Sequence, residues 1–279
     1  MIVGLIDSGI GGWSFLTKIK KHFPDHTYLY FADQKNSPYG NKSVEELRKI
    51  AMDWIKVLKE QKLDILIIAC NTLTAWFRDQ FREELNIPVL GTTDGLVSRD
   101  FQGINTILLA TVKTVQSKWY QNLFSNIESA VGNTWLAAAI EKDYVISQND
   151  IIKLKNEVER EAGFDWDAMI LGCTHYPLII EQLKEIWPEK TFVDPAEAII
   201  EKLKNILDNS FLVNHKFVMY TTGNIETFNK QIEAYFSIEI RKKMKVDKIN
   251  INNDKHERGH SIEIFKCVER KRRIGKKTE

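Results

Sequence analysis

Cysteine is scarce in this chain: 279 residues include three, Cys70, Cys173 and Cys267, and no two form a Cys-x-x-Cys pair. That excludes a disulfide scaffold of the secreted kind, which sets many cysteines at short spacings. It also removes the usual zinc pattern, so no metal site is expected. Long apolar runs are missing as well. No stretch approaches the roughly 20 residues needed to cross a bilayer, so no membrane span is expected. The opening "MIVGLIDSG" is broken by Asp7 and lacks the charged region and cleavage site of a secretory signal. A cytoplasmic protein with reduced thiols is the expectation.

Net charge is also small, at +1, but it is unevenly spread. Residues 241–279 hold fourteen Lys/Arg and six Asp/Glu, a net of +8, which leaves −7 on the rest. The tail "KRRIGKK" has the composition of a contact for nucleic acid or an acidic partner. A solvated terminus explains it more simply, and nucleic-acid binding is not expected. The seven tryptophans are scattered without a repeating pattern, which reads as packing rather than base stacking.

What the chain does have is a repeated strand–loop–helix rhythm. "IVGLI", "TYLYFA", "DILIIA" and "IPVLG" read as short buried strands in the first hundred residues, with helical stretches between them. Ser43 and Glu46 form a capping box for a helix over 44–62. The cycle restarts with "TILLA" at 106–110 and "DAMILG" at 167–172, with helices over 112–124 and 148–161; residues 125–147 show no clear period. Pro177 suits the first turn of the next helix. Such alternation predicts an α/β fold with parallel sheets covered on both faces. An aspartate precedes a cysteine by six residues in both passes (Asp64, Asp167), and a further strand begins eighteen residues after each cysteine. Two units of similar plan are therefore expected, with crossings near 92–100 and 209–215. The spans are 1–93 plus 211–251 and 94–210, followed by a basic extension, 252–279.

In open parallel sheets, ligands bind beyond the carboxyl ends of the strands. Four segments place polar residues there: Asp7-Ser8, Pro38-Tyr39-Gly40, Cys70-Asn71-Thr72 and Cys173-Thr174-His175. Each cysteine is expected at a strand end beside a helix start, where the helix dipole lowers a thiol's pKa. The same N–H groups, with Asn71, Thr72 and Thr174, suit a carboxylate. A lone cysteine after an apolar strand is usually a small core residue; two in matching contexts point elsewhere. Thiols on two faces of one carbon can remove a proton on one side and deliver one on the other, which is racemisation. The developing enolate-like oxygens then need pre-placed donors.

The motifs "DSGIGG", "SPYG", "ACNT" and "GCTHYPL", in this order and spacing, resemble the glutamate racemases of the aspartate/glutamate racemase superfamily over residues 1–251. The resemblance implies two flavodoxin-like α/β domains with the active site in the cleft between them. It also implies a cofactor-independent interconversion of L- and D-glutamate that supplies peptidoglycan synthesis, and a homodimer. By the resemblance Cys70 and Cys173 are the paired bases, Cys70 for D-glutamate and Cys173 for L-glutamate. Asp7 assists near the first thiol and the substrate amine, and His175 assists the second. Ser8, Tyr39, Gly40, Asn71, Thr72, Thr111 and Thr174 match substrate contacts. Two places depart from the family pattern. Leu73 stands where small residues usually follow "ACNT", and the acidic residue expected before the second cysteine has only "AAAIEKD", hence Glu141, as a match.

Three other readings stay open: a racemase for another acidic amino acid such as aspartate, a thiol redox enzyme, and a racemase-like binding or regulatory protein that uses the basic tail. A redox pair needs Cα atoms within about 7 Å, and intact Cys70 and Cys173 favour an active racemase over a binding protein.

Overall fold

The computed structural model describes residues 1–96, 103–207 and 216–251. The tail 252–279 and most of the two expected crossings lie outside the described residues. The first pass runs β1 (Ile2–Asp7), α1 (Trp13–His22), β2 (Thr27–Ala32), α2 (Val44–Lys59), β3 (Ile65–Ile68), α3 (Asn71–Glu84) and β4 (Val89–Gly91). The second runs β5 (Thr106–Thr111), α4 (Val112–Gln116), α5 (Trp119–Leu123), β6 (Ile127–Asn133), α6 (Leu136–Asp143), α7 (Gln148–Ala162), β7 (Ala168–Gly172), α8 (Ile180–Ile186), β8 (Thr191–Val193) and α9 (Pro195–Lys204). The chain then adds β9 (Phe217–Thr221), α10 (Ile225–Tyr235), α11 (Ile238–Arg241) and β10 (Met244–Lys248).

The strands form two sheets, ordered β10-β9-β2-β1-β3-β4 and β6-β5-β7-β8, and every pairing is parallel. The order β2-β1-β3-β4 is the same as β6-β5-β7-β8, so the duplication visible in the sequence is a duplication of topology. The protein is thus two parallel-sheet α/β domains. In both sheets the central strand and the cysteine-bearing strand are neighbours, so the same sheet end carries each thiol.

Burial explains the apolar runs. In β1, β2 and β3 nearly every side chain is buried, as expected for strands with helices on both faces. Residues of α1, α9 and α10 cover one face of the first sheet (Leu16, Ile199, Phe228) and those of α2 and α3 the other (Trp54, Phe77). Helix α9 follows the second sheet in sequence, yet it buries Ala196, Ile199, Ile200 and Leu203 against the first. Its start is tied down by Lys18 of α1, which bridges to Asp194 at 2.6 Å and Glu197 at 2.9 Å. The Ser43–Glu46 capping box forms, and α2 ends at Lys59 rather than residue 62. The segment 125–147 contains β6 and α6. β6 is a half-exposed edge strand and α6 is short, so neither has the run of periodic residues that makes an element legible.

Asp33, just past β2, organises the loop that carries Tyr39 and Gly40. It has no exposed surface. Its carboxylate accepts from the Tyr39 hydroxyl (2.7 Å), Trp54 Nε1 (3.2 Å), the Thr222 hydroxyl (2.7 Å) and Asn36 Nδ2 (2.9 Å). Asp33→Ala strands several buried donors, so the urea midpoint of the first domain should fall by the equivalent of about 3 kcal/mol or more. A midpoint within error of wild type would contradict this role.

Candidate active site

The site is built where β1, β3, β5 and β7 end. Cys70 is the N-cap of α3, and Thr111 caps α4 by accepting from Thr114 N. Cys173 follows β7 and precedes a short 3-10 turn, Tyr176–Ile179, with Pro177 in its first turn; α8 begins only at Ile180. The second thiol therefore stands before a tight turn, not an α-helix.

Ser8, Tyr39, Gly40, Asn71, Thr72, Thr111, Cys70, Cys173, Thr174 and His175 all line one cavity. Its volume is about 10 Å³, roughly what one water needs. Pro38 and Ala137 complete the wall. Asp7 does not line it; the carboxylate lies beneath, with no exposed surface. Asp7 Oδ2 accepts from the N–H groups of Gly9 and Gly12, both at 3.1 Å, and Oδ1 accepts from the Thr174 hydroxyl at 3.2 Å. Leu73 is fully buried in the core of the first sheet, in the same cluster as Cys70 and Tyr39, and does not line the cavity.

The two halves approach closely on both sides of the cavity. A Cβ at Gly11 would stand 2.5 Å from His175 Nδ1 and 2.6 Å from Thr174 Oγ1. One at Gly40 would stand 2.4 Å from Thr111 Cβ. Glycine is required at these positions for contact with the other domain rather than for an unusual backbone angle. On one side, Thr72 meets Thr111 and Thr114 in a triangle of hydroxyls at 3.0–3.2 Å. On the other, Glu141 of α6 reaches across the seam. Its Oε2 accepts from Ile10 N (3.0 Å) and contacts His175 Nε2 (2.6 Å); its Oε1 accepts from Gln34 Nε2 (2.9 Å).

Charge distinguishes the thiols. Burial pushes the Cys70 thiol well above its ordinary value, and the Asp7 carboxylate adds to this; the N–H groups of Thr72 and Leu73 pull the other way and lose. The helix start does act on Cys70 as the sequence implied, but desolvation reverses the outcome. Asp7 itself is raised, mainly by burial, with His175 and the Gly9 and Gly12 amides opposing. Burial favours neutral His175, but its hydrogen bonds to Cys173 and Glu141 prevail and hold the imidazole well above its usual value. Cys173 Sγ lies 3.7 Å from His175 Nδ1. One thiol thus has a buried carboxylate for a neighbour, the other an imidazolium backed by a carboxylate.

Fold and site together define a class: two duplicated α/β domains, each contributing a buried thiol to one cavity. Residues 14–203 match the Asp/Glu/Hydantoin racemase family, and the chain belongs to it. It is 31% identical to the glutamate racemase of Prochlorococcus marinus (strain NATL2A), over 85% of this chain and 94% of that one. With the glutamate racemase of Lactobacillus acidophilus the identity is 30%, over 89% and 98%. Among solved structures it is similar to a Francisella tularensis glutamate racemase in complex with D-glutamate, at 26% identity, TM-score 0.76 and coverage of 90% and 97%. A Bacillus anthracis glutamate racemase matches at 27% identity, TM-score 0.73 and coverage of 89% and 97%. The protein is accordingly a racemase, an isomerase.

Glu141 is the residue on which the sequence was least explicit, because α6 is short and its register was hidden. The single usable signal was an acidic residue upstream of the second cysteine. Asp7→Asn removes the negative charge that raises Cys70, so the Cys70 thiol should ionise at lower pH. Alkylation of Cys70 by iodoacetamide, followed by mass spectrometry against pH in a Cys173→Ser background, should show its midpoint move down. A midpoint that stays or rises would contradict the coupling.

Proposed function

We propose that this racemase interconverts L- and D-glutamate by a two-base mechanism in which Cys70 and Cys173 work from opposite faces of the α carbon, without a cofactor. The observation that carries it is the pair of buried thiols lining one cavity, each brought by a different domain. The relatives named glutamate racemase, and the D-glutamate complex of the Francisella protein, support glutamate as the substrate.

In the direction from L-glutamate, the Cys173 thiolate takes the α proton. The electrons of the broken C–H bond move into the α-carboxylate, giving an enediolate-like species. The Cys70 thiol then delivers its proton to the opposite face and is left as thiolate. From D-glutamate the roles reverse. The proton count balances within each passage, and exchange between the sulfurs and solvent resets the pair.

Each neighbour has a task in this reading. The His175 imidazolium, backed by Glu141, faces the Cys173 sulfur and offsets its negative charge. Asp7 lies beneath the site of the substrate ammonium. A bound ammonium would counter the Asp7 charge and so bring the buried Cys70 thiol down towards the range where it can act as base. Asn71, Thr72, Thr111 and Ser8 through their side chains, and Tyr39, Gly40 and Thr174 through their backbone N–H groups, supply donors to the two carboxylates. Such donors, fixed before reaction, are most effective on the oxyanion that develops. The cavity has room for about one water, so glutamate binding requires its walls to move apart.

The same reading includes the division into 1–93 plus 211–251 and 94–210, with α9 spanning both, as well as a homodimer, a cytoplasmic location and a D-glutamate supply for peptidoglycan. Circular dichroism of the purified protein with L- or D-glutamate and no added cofactor should show decay of the signal from either side to zero. L- and D-aspartate should decay at least tenfold more slowly. Preferential turnover of aspartate would replace the substrate, and no turnover of either acid would sink the two-base reading.

A further inference from the structure

Asn71 lies on the cavity wall and is buried. Its Oδ1 accepts two hydrogen bonds, from the Thr92 hydroxyl at 2.9 Å and from the Tyr120 hydroxyl at 2.5 Å. Its Nδ2 is buried and has no partner. A buried amide nitrogen without an acceptor costs about 1–3 kcal/mol; a site tolerates that where a ligand completes the bond.

We propose that Tyr120 is a positioning residue: its hydroxyl saturates Asn71 Oδ1 and so turns the Asn71 amide nitrogen into the cavity as a donor to a substrate carboxylate. The assignment rests on the functional reading above for the identity of the ligand. Its geometry stands apart from that reading. A carboxamide has one acceptor end and one donor end, and they exchange by a half-turn about the last side-chain bond. With Oδ1 towards the cavity, the amide would repel the anion that the correct orientation binds. The Tyr120 and Thr92 hydroxyls both donate to Asn71 Oδ1, so a half-turn would exchange two accepted hydrogen bonds for a clash of donors at Nδ2 unless both hydroxyls turned as well. Burial keeps the Tyr120 phenol far above its ordinary pKa, so it retains that hydrogen at neutral pH. Tyr120 itself has no exposed surface.

Tyr120 belongs to α5 of the second pass and Asn71 to α3 of the first. Thr92 of the first pass holds Asn71 Oδ1 from its own half, and Tyr120 adds the second hydrogen bond from the opposite domain. Trp76 Nε1 donating to Lys113 O (3.0 Å) and Trp119 Nε1 donating to Thr93 Oγ1 (2.9 Å) hold the same seam.

The test is a double-mutant cycle read by NMR titration of D-glutamate, which follows binding into the millimolar range. The four proteins are wild type, Tyr120→Phe, Asn71→Ala and the double variant. Tyr120→Phe should raise Kd about tenfold in the wild-type background, equivalent to about 1.4 kcal/mol, and less than twofold once Asn71 is gone. Turnover should show a loss in kcat/KM of at least the same size in the wild-type background and less than twofold once Asn71 is gone, because the amide that binds the carboxylate also faces the oxyanion that develops there. Equal weakening in both backgrounds would assign Tyr120 a packing role and overturn the proposal. So would unchanged binding in Tyr120→Phe with loss only in Tyr120→Leu, or a wild type that binds no D-glutamate. The titrations require binding and not turnover. A protein that binds D-glutamate without racemising it fails the functional reading, while the cycle still decides the role of Tyr120.

Discussion

The site depends on a carboxylate that water does not reach. Asp7 ends the central strand of the first sheet, receives two backbone amides from the turn after it, and accepts the Thr174 hydroxyl from the other domain. Burying a charge is costly unless it is paired or hydrogen-bonded, and here the partners come from both halves. The "DSGIGG" turn supplies the amides and also clears space for His175 and Thr174 to approach. The carboxylate in turn helps to hold Cys70 protonated while the site is empty. The contacts that join the two domains thus also bury Asp7, and the buried carboxylate raises the first thiol.

Each half holds the chemistry of the other. The Cys173 side is set by Glu141, and Glu141 is held by Ile10 and Gln34 of the first domain. Gln34 also donates to Gln231 Oε1 (2.7 Å), and its own Oε1 accepts from the Thr221 hydroxyl. Gln231 donates to the Glu141 carbonyl, so this support reaches back to β9 and α10. The Cys70 side abuts Asn71 and Thr72, which contact Tyr120, Thr111 and Thr114 of the second pass. The duplicated topology makes the two thiols equivalent in position. Their neighbours, Asp7 on one side and the His175–Glu141 pair on the other, give them unlike electrostatic surroundings. The proposed two-base reaction needs such a difference, since one sulfur must act as thiolate while the other stays protonated.

Much of this was legible in the sequence. Apolar runs of four to six residues ending in Asp7, Cys70, Thr111 and Cys173 specified both the strands and the residues at their ends, because a strand buried on both faces has little freedom in composition. The paired spacings of Asp64 and Asp167 gave the duplication. What remained hidden had physical reasons. Elements β6 and α6 are a partly exposed edge strand and a two-turn helix, too weakly periodic to read. The packing of α9 on the first sheet joins segments 176–179 residues apart, such as Lys18 with Asp194 and Glu197, beyond the reach of a local pattern. The orienting roles of Gln34 and Tyr120 exist only across the seam, which no local pattern encodes. The expected lowering of the Cys70 pKa failed because position at a helix start is readable from sequence, whereas the depth of burial that outweighs it is not.

The central claim is that two thiols act on opposite faces of one carbon, and the fate of the α hydrogen in heavy water tests it most directly. Wild-type protein is started from a single glutamate enantiomer in D₂O and stopped early, and the deuterium content of each enantiomer is measured. With two bases, the new enantiomer carries deuterium at the α carbon while the unconverted pool keeps its hydrogen, because the sulfur that took the proton is not the one that delivers the deuteron. A product that retains the original hydrogen would contradict the account, as would deuterium entering the starting enantiomer as fast as inversion occurs.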